Sequence, residues 1–542
     1  MKTTSKLKLA AVLAIYCFAF LGCNNSGAPP AKFTVGGTVV NLAGAAGGLV
    51  LQDNLQNNLA VNANGTFTFP NSVASNTDYS VTISAQPSNP AQTCGVINGS
   101  GAATANITNI QVNCGHNEWA WVKGPNSVSG TAVYGTIGVP AASNNPGPRQ
   151  TPATWTDASG NFWLFGGNVF ANQTYSLMND LWEFRSGEWT WVGGLSTGSP
   201  GGTYGSLGVP AVTNFPGGRY LAATWTDASG NLWLFGGDGV DSAGQGGPLN
   251  DLWKYSEGEW AWMGGSNLQG QAATYGMLGV PAATNVPGAR FGAVTWTDPS
   301  GNFWLFGGFR YDVNGSNGGA LNDLWKYSNG EWTWESGSES IDQSGAYGMQ
   351  GLPAPGNVPG ARSVAVGWTD ASGSLWLFGG TGYNASGTSG WLNDLWKYNN
   401  GQWTWISGTS QIGQPGIYGV QGTAAAGNGP GSRQEAFSWT DSSGNFWLFG
   451  GNGMDSAAQA GVLNDLWKFS NGQWTWLSGS KLVNQYGVYG AQGSLAPANI
   501  PGARGLTSGW IDTNGNLWLF GGYGTAASGS EGDLSDLWMY MP

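Results

Sequence analysis

Six arginines recur along the chain at intervals of about 71 residues, and each follows a Pro-Gly-x tripeptide. They are Arg149, Arg219, Arg290, Arg362, Arg433 and Arg504. A guanidinium group presents a rigid fork of N–H donors that matches a carboxylate or another oxygen-rich group. Two roles are consistent with such a ring: gripping an anionic or hydroxyl-rich ligand, or pairing with a local carboxylate. Strict repetition favours the local pair, because functional sites normally break the symmetry of a fold.

Residues that break the repeat are the better candidates for binding. The residue after each arginine varies, being in turn Gln150, Tyr220, Phe291, Ser363, Gln434 and Gly505. Other residues off the pattern are predicted near the same surface: Arg310, Tyr311, Tyr383, Trp391 and Glu435. Aromatic rings beside amides and one carboxylate suit recognition of a sugar or a peptide. Packing within loops is the alternative interpretation of the same residues.

The arginines belong to a repeat that fills most of the chain. A Phe-Gly-Gly tripeptide begins at Phe165, Phe235, Phe306, Phe378, Phe449 and Phe520. An Asp-Leu-Trp tripeptide begins at Asp180, Asp251, Asp323, Asp394, Asp465 and Asp536. A fixed period of this kind indicates a repeat architecture.

Each repeat contains four short runs rich in aromatic and β-branched residues, which favour strands. In the second repeat they are 220–226, 232–235, 251–255 and 259–263. Turn residues of the Gly, Asn and Asp kind separate the first from the second run and the third from the fourth. Four antiparallel strands per unit, repeated six times, predict the blades of a β-propeller.

Several of these marks are those of a known family. The Gly-Gly doublet after the second strand (Gly236-Gly237), the sequence Asn250-Asp-Leu-Trp253, and then Tyr255 and Trp260 resemble kelch repeats of the galactose oxidase/kelch superfamily. The resemblance covers residues 118–542 and implies a six-bladed propeller within a propeller domain of residues 116–542. The units depart from the family in length, since kelch units have about 50 residues. The surplus lies mainly between the fourth strand and the next first strand.

The order of strands predicts how the ring closes. The segment Glu118-Trp-Ala-Trp121 precedes the first Phe-Gly-Gly, whereas the sixth repeat stops after its third strand. We therefore expect residues 118–121 to pair beside the chain's last strand and remove an exposed edge. The long connections from strand two to three and from strand four to one are both expected to open on the face that carries the arginines. Function usually lies on loops held by a rigid scaffold.

The beginning of the chain predicts export. Residues 1–22 combine Lys2, Lys6 and Lys8 with an apolar run too short to span a bilayer as a helix. Phe20-Leu-Gly-Cys23 resembles a lipobox, and lipidation of Cys23 would leave Cys94 and Cys114 as one pair. Residues 23–32 then form a lipid-anchored tether. Ordinary secretion is the alternative.

Residues 33–115 contain no tryptophan and lack the period of the later chain. Their alternating runs predict a small β-sandwich, stapled by a Cys94–Cys114 disulfide. A disulfide closing a loop of about 20 residues stabilises by roughly 3 kcal/mol, which matters for so small a core. A spacer is the expected role.

Composition and residue types limit the possible chemistry. Only 9% of residues are charged and the net charge is −12, so an acidic chain without a basic run argues against nucleic acid as a partner. Copper chemistry of the galactose oxidase kind is excluded, because His116 is the sole histidine and the repeats contain no cysteine. Residues 312–317 are oxygen-rich but lack the later glutamate of a calcium loop. No cofactor and no metal site are predicted.

Together these features predict an all-β binding or adhesion module in the bacterial cell envelope, held at the outer membrane or cell surface through its lipid alone. Its expected ligand is a carbohydrate or a protein, bound on the face of the long loops. Two alternatives stay open. One is a carbohydrate-active enzyme resembling six-bladed sugar isomerases, in which Arg433 and Glu435 would act together. The other is a purely structural scaffold.

Overall fold

The computed structural model describes residues 31–42, 48–87, 94–114, 117–128, 130–171, 174–311 and 318–542. Throughout these ranges the chain is all-β and contains no helix. It is built from several sheets of about four strands, and nearly all of the strand pairs are antiparallel, an arrangement compatible with a propeller. No helix in the described ranges is long and apolar enough to cross a membrane.

The first part of the described chain forms two four-stranded sheets and one small ribbon. The strands are β1 Lys32–Phe33, β2 Val35–Val40, β3 Leu49–Asp53, β4 Asn57–Val61, β5 Gly65–Thr68, β6 Val73–Ala74, β7 Asp78–Ala85, β8 Gly95–Ile97, β9 Ser100–Ala102 and β10 Ile107–Asn113. The sheet orders are β5-β2-β10-β8 and β4-β3-β7-β9, with β1 paired to β6. One buried cluster contains residues of both sheets, and the predicted Cys94–Cys114 disulfide is part of it.

The first two repeats each form a sheet in chain order. They are preceded by β11 Glu118–Lys123 and consist of β12 Ala153–Thr156, β13 Phe162–Ala171, β14 Thr174–Arg185, β15 Glu188–Gly193, β16 Arg219–Tyr220, β17 Ala223–Thr226, β18 Leu232–Val240, β19 Gly246–Ser256 and β20 Glu259–Gly264. Strand β16 pairs with β18 beyond the end of β17, so it extends the first strand of its sheet.

The third and fourth repeats have the same order with shorter segments. Their strands are β21 Val294–Thr297, β22 Phe303–Phe306, β23 Phe309–Arg310, β24 Gly319–Ala320, β25 Leu324–Ser328, β26 Glu331–Ser336, β27 Arg362–Ser363, β28 Val366–Thr369, β29 Leu375–Phe378, β30 Thr381–Tyr383, β31 Ser389–Trp391, β32 Leu395–Asn399 and β33 Gln402–Ser407. The two-stranded sheet β23-β24 and the three-stranded sheet β27-β30-β31 continue the main sheets at the end where the long loops begin.

The fifth and sixth repeats complete the set. Their strands are β34 Arg433–Gln434, β35 Phe437–Thr440, β36 Phe446–Met454, β37 Ala460–Ser470, β38 Gln473–Ser478, β39 Leu495–Ala496, β40 Arg504–Gly505, β41 Ser508–Ile511, β42 Leu517–Thr525 and β43 Glu531–Met541. The predicted strand pairing is confirmed, because β11 pairs antiparallel with β43 and stands where the other sheets have their own fourth strand.

The first strands of successive sheets touch in a cycle. Strand β12 contacts β17, and the contacts continue through β21, β28, β35 and β41 back to β12. Tryptophan ties neighbouring sheets together at this level, as Trp225 Nε1 donates to the carbonyl oxygen of Trp304 at 3.1 Å. The large buried tryptophans lie between the sheets, so the aromatic residues of each repeat stabilise two sheets at once.

Steric constraints explain the two successive glycines of the Phe-Gly-Gly tripeptide. Gly236 has a φ of 60°, and a Cβ there would lie 2.8 Å from the carbonyl oxygen of Arg290 in the next repeat. Its neighbour Gly237 donates its N–H to that same oxygen at 2.9 Å. The doublet therefore permits both a bulge in the second strand and the close approach of the following sheet.

The connections from strand four to strand one form hairpins on the outer edges of the sheets. In the second repeat, Thr203 pairs with Phe215, and Ala211 between them forms a bridge to Trp260 in β20. Asn214 Nδ2 also donates to the carbonyl oxygen of Trp260 at 3.1 Å. Five other asparagines donate to the matching tryptophan carbonyls: Asn144, Asn285, Asn357, Asn428 and Asn499. We call these segments the rim hairpins.

The rim hairpins correct one prediction. The extra length of the repeats was expected to open on the arginine-bearing face, but much of it covers the outermost strand of each sheet. An uncovered outer strand would expose a row of unpaired N–H and C=O groups, which is an aggregation hazard. Part of the extra length therefore protects the outermost strand of each sheet, and the rest forms the loops.

Candidate functional site

Each repeated arginine forms a buried pair with the aspartate of the Asp-Leu-Trp tripeptide. Arg433 Nη1 and Nη2 donate to Asp465 Oδ1 and Oδ2 at 2.7 and 2.8 Å. Both side chains are at most 1% exposed. Tyr418 and Trp467 also donate to Asp465 Oδ2, each at 2.7 Å. The other five pairs are Arg149–Asp180, Arg219–Asp251, Arg290–Asp323, Arg362–Asp394 and Arg504–Asp536.

Backbone carbonyls accept further hydrogen bonds from these guanidinium groups, although the Nε of Arg149 has no partner among the described residues. Arg433 Nε donates to the carbonyl oxygen of Gly431 at 3.1 Å, and Nη1 also donates to that of Gly450 at 2.9 Å. Burial lowers the pKa of Arg433, but the charge and hydrogen bonds of Asp465 more than offset it, so the net pKa is raised. These contacts agree with the local-carboxylate interpretation of the arginines. They leave the role of ligand contact to other side chains.

The residue two positions after each arginine takes part in a closed ring of backbone hydrogen bonds. Leu221 N–H donates to the carbonyl oxygen of Thr151 at 3.2 Å, and Gly292 N–H donates to that of Leu221 at 2.9 Å. Four further bonds continue the cycle until Thr151 N–H donates to Leu506. The members, which we call the mouth ring, are Thr151, Leu221, Gly292, Val364, Glu435 and Leu506.

All six members of the mouth ring have positive φ, although only one is glycine. Thr151 and Val364, with φ of 41° and 49°, are β-branched residues for which this conformation is unfavourable. Such strain costs on the order of 1–3 kcal/mol per residue and persists only where surrounding contacts enforce it. The cyclic hydrogen bonds supply that enforcement, so the mouth ring is a rigid frame.

The mouth ring surrounds a cavity of about 190 Å³ at the start of the first strands. A second cavity of about 510 Å³ lies further along the same strands, toward the tight turns. Both are lined by residues from several sheets, and they share Thr154, Thr224 and Phe437. The smaller one, which we call the mouth cavity, therefore has Phe437 near its floor.

Glu435 is the carboxylate of the mouth cavity. Gln434 Nε2 donates to its Oε1 and Asn452 Nδ2 donates to its Oε2, both at 3.0 Å. Burial raises the pKa of Glu435, and the bond from Asn452 lowers it in part. The group is thus held in place by two neutral amides. The ion pairs found among the described residues do not include it.

A second polar cluster lies in the second and third repeats. Asp238 accepts hydrogen bonds from the hydroxyls of Tyr220 at 3.3 Å and Tyr311 at 3.0 Å. Burial raises the pKa of Asp238, while the two hydroxyls lower it in part. The pKa of Tyr220 is raised to about 12, first by burial, then by Asp238 and also by Glu435. The two carboxylates therefore act on the same hydroxyl.

The structure brings some of the predicted residues together. Phe291 contacts Phe309 and Tyr311, with ring centroids 5.7 and 6.1 Å apart. Tyr220 and Tyr311 meet at one carboxylate, and Gln434 touches Glu435 while accepting a short hydrogen bond from Thr381 Oγ1. These residues form two groups beside the mouth cavity.

The other predicted residues lie further out. Arg310 is half-buried in the short strand β23. Tyr383 and Trp391 are half-buried on the paired strands β30 and β31, where Thr381 is the register partner of Trp391. Gln150 Nε2 donates to Asp533 Oδ1 at 2.7 Å and so links the first repeat to the sixth. Direct ligand contact by any of these residues stays a prediction.

Several site residues were missed by the sequence analysis. Phe437 occupies a position that holds Ala153, Ala223, Val294, Val366 and Ser508 in the other repeats. A comparison of the repeats at this single position would have found it. Asp238 and Asn452 directly follow the Gly-Gly doublet of their repeats, a position that is just as variable.

A patch of exposed aromatic rings was also missed. Phe170 and Tyr175 are 48% and 55% exposed, and their rings are 4.8 Å apart. Tyr523, at 36% exposed, is the register partner of Asp533. Asp533 in turn accepts from Phe170 N–H at 3.2 Å, which places these residues at one side of the same face.

The described part of the chain contains no set of side chains arranged to bind a metal ion. No group of three or more His, Cys, Asp or Glu residues is placed to hold an ion within those ranges. The oxygen-rich loop 312–317, His116 and Cys23 all lie outside the described residues.

Comparisons with known proteins give similarity to solved structures alone. No family model matches the sequence, and no curated protein matches it. The solved structure of YjhT is similar over 72% of this chain and 95% of that chain, with 14% sequence identity and a TM-score of 0.42. The function of this chain therefore has to be derived from its own geometry.

Proposed function

We propose that residues 116–542 form a six-bladed kelch-type β-propeller and that residues 33–115 form a small β-sandwich. The cyclic contacts of the first strands and the closing pair β11-β43 support the six-bladed ring. The two sheets that share one buried cluster and a disulfide support the sandwich. The Gly-Gly doublets support the kelch assignment, since each permits the approach of the next blade.

We further propose that the propeller is a binding or adhesion module, with the mouth cavity as its site and a carbohydrate or a protein as its ligand. One observation carries this proposal: the symmetry of the mouth is broken in the fifth repeat. That repeat alone places a carboxylate, Glu435, in the mouth ring and an aromatic ring, Phe437, at the floor. The repeated scaffold residues are the same in all six units, so this difference points to a ligand.

The contacts of Arg433 argue against the enzyme alternative, in which Arg433 and Glu435 would act together. Arg433 was expected to act with Glu435, but its donors are already bound to Asp465 and to two backbone carbonyls. A reaction at the mouth would need Glu435 to work with a different group. Binding needs only the groups that line the cavity, and we favour it for that reason.

Blocking the mouth cavity tests the site. Leu506→Trp places a larger side chain at the mouth cavity. We expect it to weaken binding by about tenfold or more, because the indole fills volume that the ligand would occupy. The measurement is a screen on an array of glycans and peptidoglycan fragments, followed by affinity measurements on the strongest hit. Leu207→Trp is the matched control, since Leu207 is 59% exposed on a rim hairpin. Equal affinities for both variants would contradict the proposed site.

We also propose that the protein is lipid-anchored at Cys23 in the bacterial envelope. In this proposal the lipid on Cys23 alone holds the protein at the membrane. Cys23→Ser is therefore expected to move the protein from the membrane fraction to the soluble fraction. Cell fractionation with a salt wash measures this. Cys94→Ser with Cys114→Ser is the control, because it removes the disulfide and leaves the anchor. Persistent, salt-resistant sedimentation of the Cys23→Ser protein would reject the lipid.

A further inference from the structure

The charge balance at the mouth cavity limits what the cavity can bind. Glu435 receives hydrogen bonds from two neutral amides, and within the described ranges no Lys or Arg lies within ion-pairing distance of it. The six nearby guanidinium groups are paired with their own aspartates. The site therefore offers a negative group whose counter-charge the protein itself does not supply.

The walls of the mouth cavity combine apolar side chains with hydroxyl groups. Leu221, Val364 and Leu506 line it from three sides, and Phe437 lies at the floor. Thr151 adds a hydroxyl whose Oγ1 has no hydrogen-bond partner among the described residues. A partly buried carboxylate is costly to keep charged unless a cation pairs with it.

A second carboxylate, that of Asp238, contributes to the negative electrostatic potential near the mouth cavity. Asp238 holds the hydroxyls of Tyr220 and Tyr311, and Tyr220 is influenced by Glu435 as well. Carboxylates from the second and the fifth repeats thus act on the hydroxyl of Tyr220, which precedes Leu221 of the mouth ring. This combination repels an anionic ligand and attracts a cationic one.

We propose that the mouth cavity binds a primary ammonium group of the ligand, with Glu435 as its counter-ion. This inference rests on the proposed binding function of the mouth. At about 190 Å³ the cavity is below the usual size range of pockets for whole small molecules, so it suits one group of a larger ligand. The ammonium group has two possible sources: a deacetylated amino sugar or a lysine side chain.

Matched probes separate ammonium recognition from sugar recognition. The probes are a glucosamine oligosaccharide, its N-acetylated form of equal length, and a lysine peptide with free or acetylated side chains. Acetylation removes the positive charge and keeps the rest of the probe. We expect the free amine of at least one pair to bind at least about tenfold more tightly than its acetylated partner. The pair that shows the difference identifies the source of the ammonium group.

Glu435→Gln is the decisive variant. It keeps the shape of the side chain, removes the charge and replaces one of the two acceptor oxygens by an NH2 group, so binding of the free-amine probe is expected to fall about 30-fold or more. Asp78→Asn is the matched control, because Asp78 is 61% exposed in the N-terminal region. Thermal unfolding of both variants verifies that the fold is retained.

The outcomes separate the two proposals. Preference for the free amine that Glu435→Gln abolishes supports ammonium binding. A probe that binds equally well before and after acetylation, is insensitive to Glu435→Gln and is weakened by Leu506→Trp overturns ammonium binding while the mouth remains the site. Binding unaffected by either mouth variant overturns both the site and the inference.

Discussion

Deletion of residues 118–123 is expected to cost more than about 5 kcal/mol of folding free energy. The deletion removes β11, and with it Trp119, which is 1% exposed and packs against Phe449, Trp538 and Tyr540 at 5.4, 6.4 and 5.0 Å between ring centroids. Truncating one buried tryptophan costs about 3–5 kcal/mol, and here the paired strand is lost as well. Denaturant unfolding followed by tryptophan fluorescence measures the change.

A strand graft distinguishes loss of closure from general damage. The other sheets join strands three and four by a short turn, as in Ser328-Asn-Gly330 between β25 and β26. Met541 has the register position of Ser328, so appending Asn-Gly and the sequence of residues 118–123 after Met541 supplies the missing strand from the opposite end of the chain. We expect this to restore most of the lost stability. A graft without effect, or a deletion that leaves the unfolding transition unchanged, would mean that β11 does not close the ring.

Asp465→Ala is expected to destabilise the protein by about 3–5 kcal/mol. The change leaves the guanidinium of Arg433, which is at most 1% exposed, without its counter-charge. It also removes the acceptor of Tyr418 and Trp467. A buried charge that loses its partner is costly because nothing replaces the water it gave up on folding.

The matched comparison is Asp78→Ala. Asp78 pairs with Arg185 at 2.6 Å, but both side chains are more than half exposed. Exposed pairs contribute about 0–1 kcal/mol, so the midpoint of denaturant unfolding should scarcely move. Similar losses for the two variants would show that the repeated arginine pairs are not major elements of stability.

Much of the fold could be predicted because the sequence repeats it. The pairing of Glu118–Lys123 with the last strand followed from counting strands, and it is confirmed. The Cys94–Cys114 bond followed from the parity of the cysteines, and it is present. Both rest on local patterns and simple counts, which one sequence supplies.

The rim hairpins and the mouth ring could not be predicted in the same way. Ala211 bridges Trp260 through backbone atoms, and the ring bonds of Thr151 and Leu221 are also backbone to backbone. Contacts of this kind leave little trace in side-chain identity, particularly where a threonine or valine adopts positive φ. The local pairing of the arginines was favoured from symmetry, but the roles of Asp238 and Phe437 depend on which side chains converge in space.

In the mouth ring, the geometry of the backbone and the chemistry of the side chains are independent, although the two often constrain the same residues. Its six hydrogen bonds use only backbone atoms, so the geometry does not depend on which side chain each member carries. The members accordingly range from glycine to leucine, valine, threonine and glutamate. Mutation can therefore rewrite the chemistry of the opening one position at a time while the frame stays intact. Such an opening can diverge in ligand preference within an unchanged scaffold, much as antibody loops diverge on theirs.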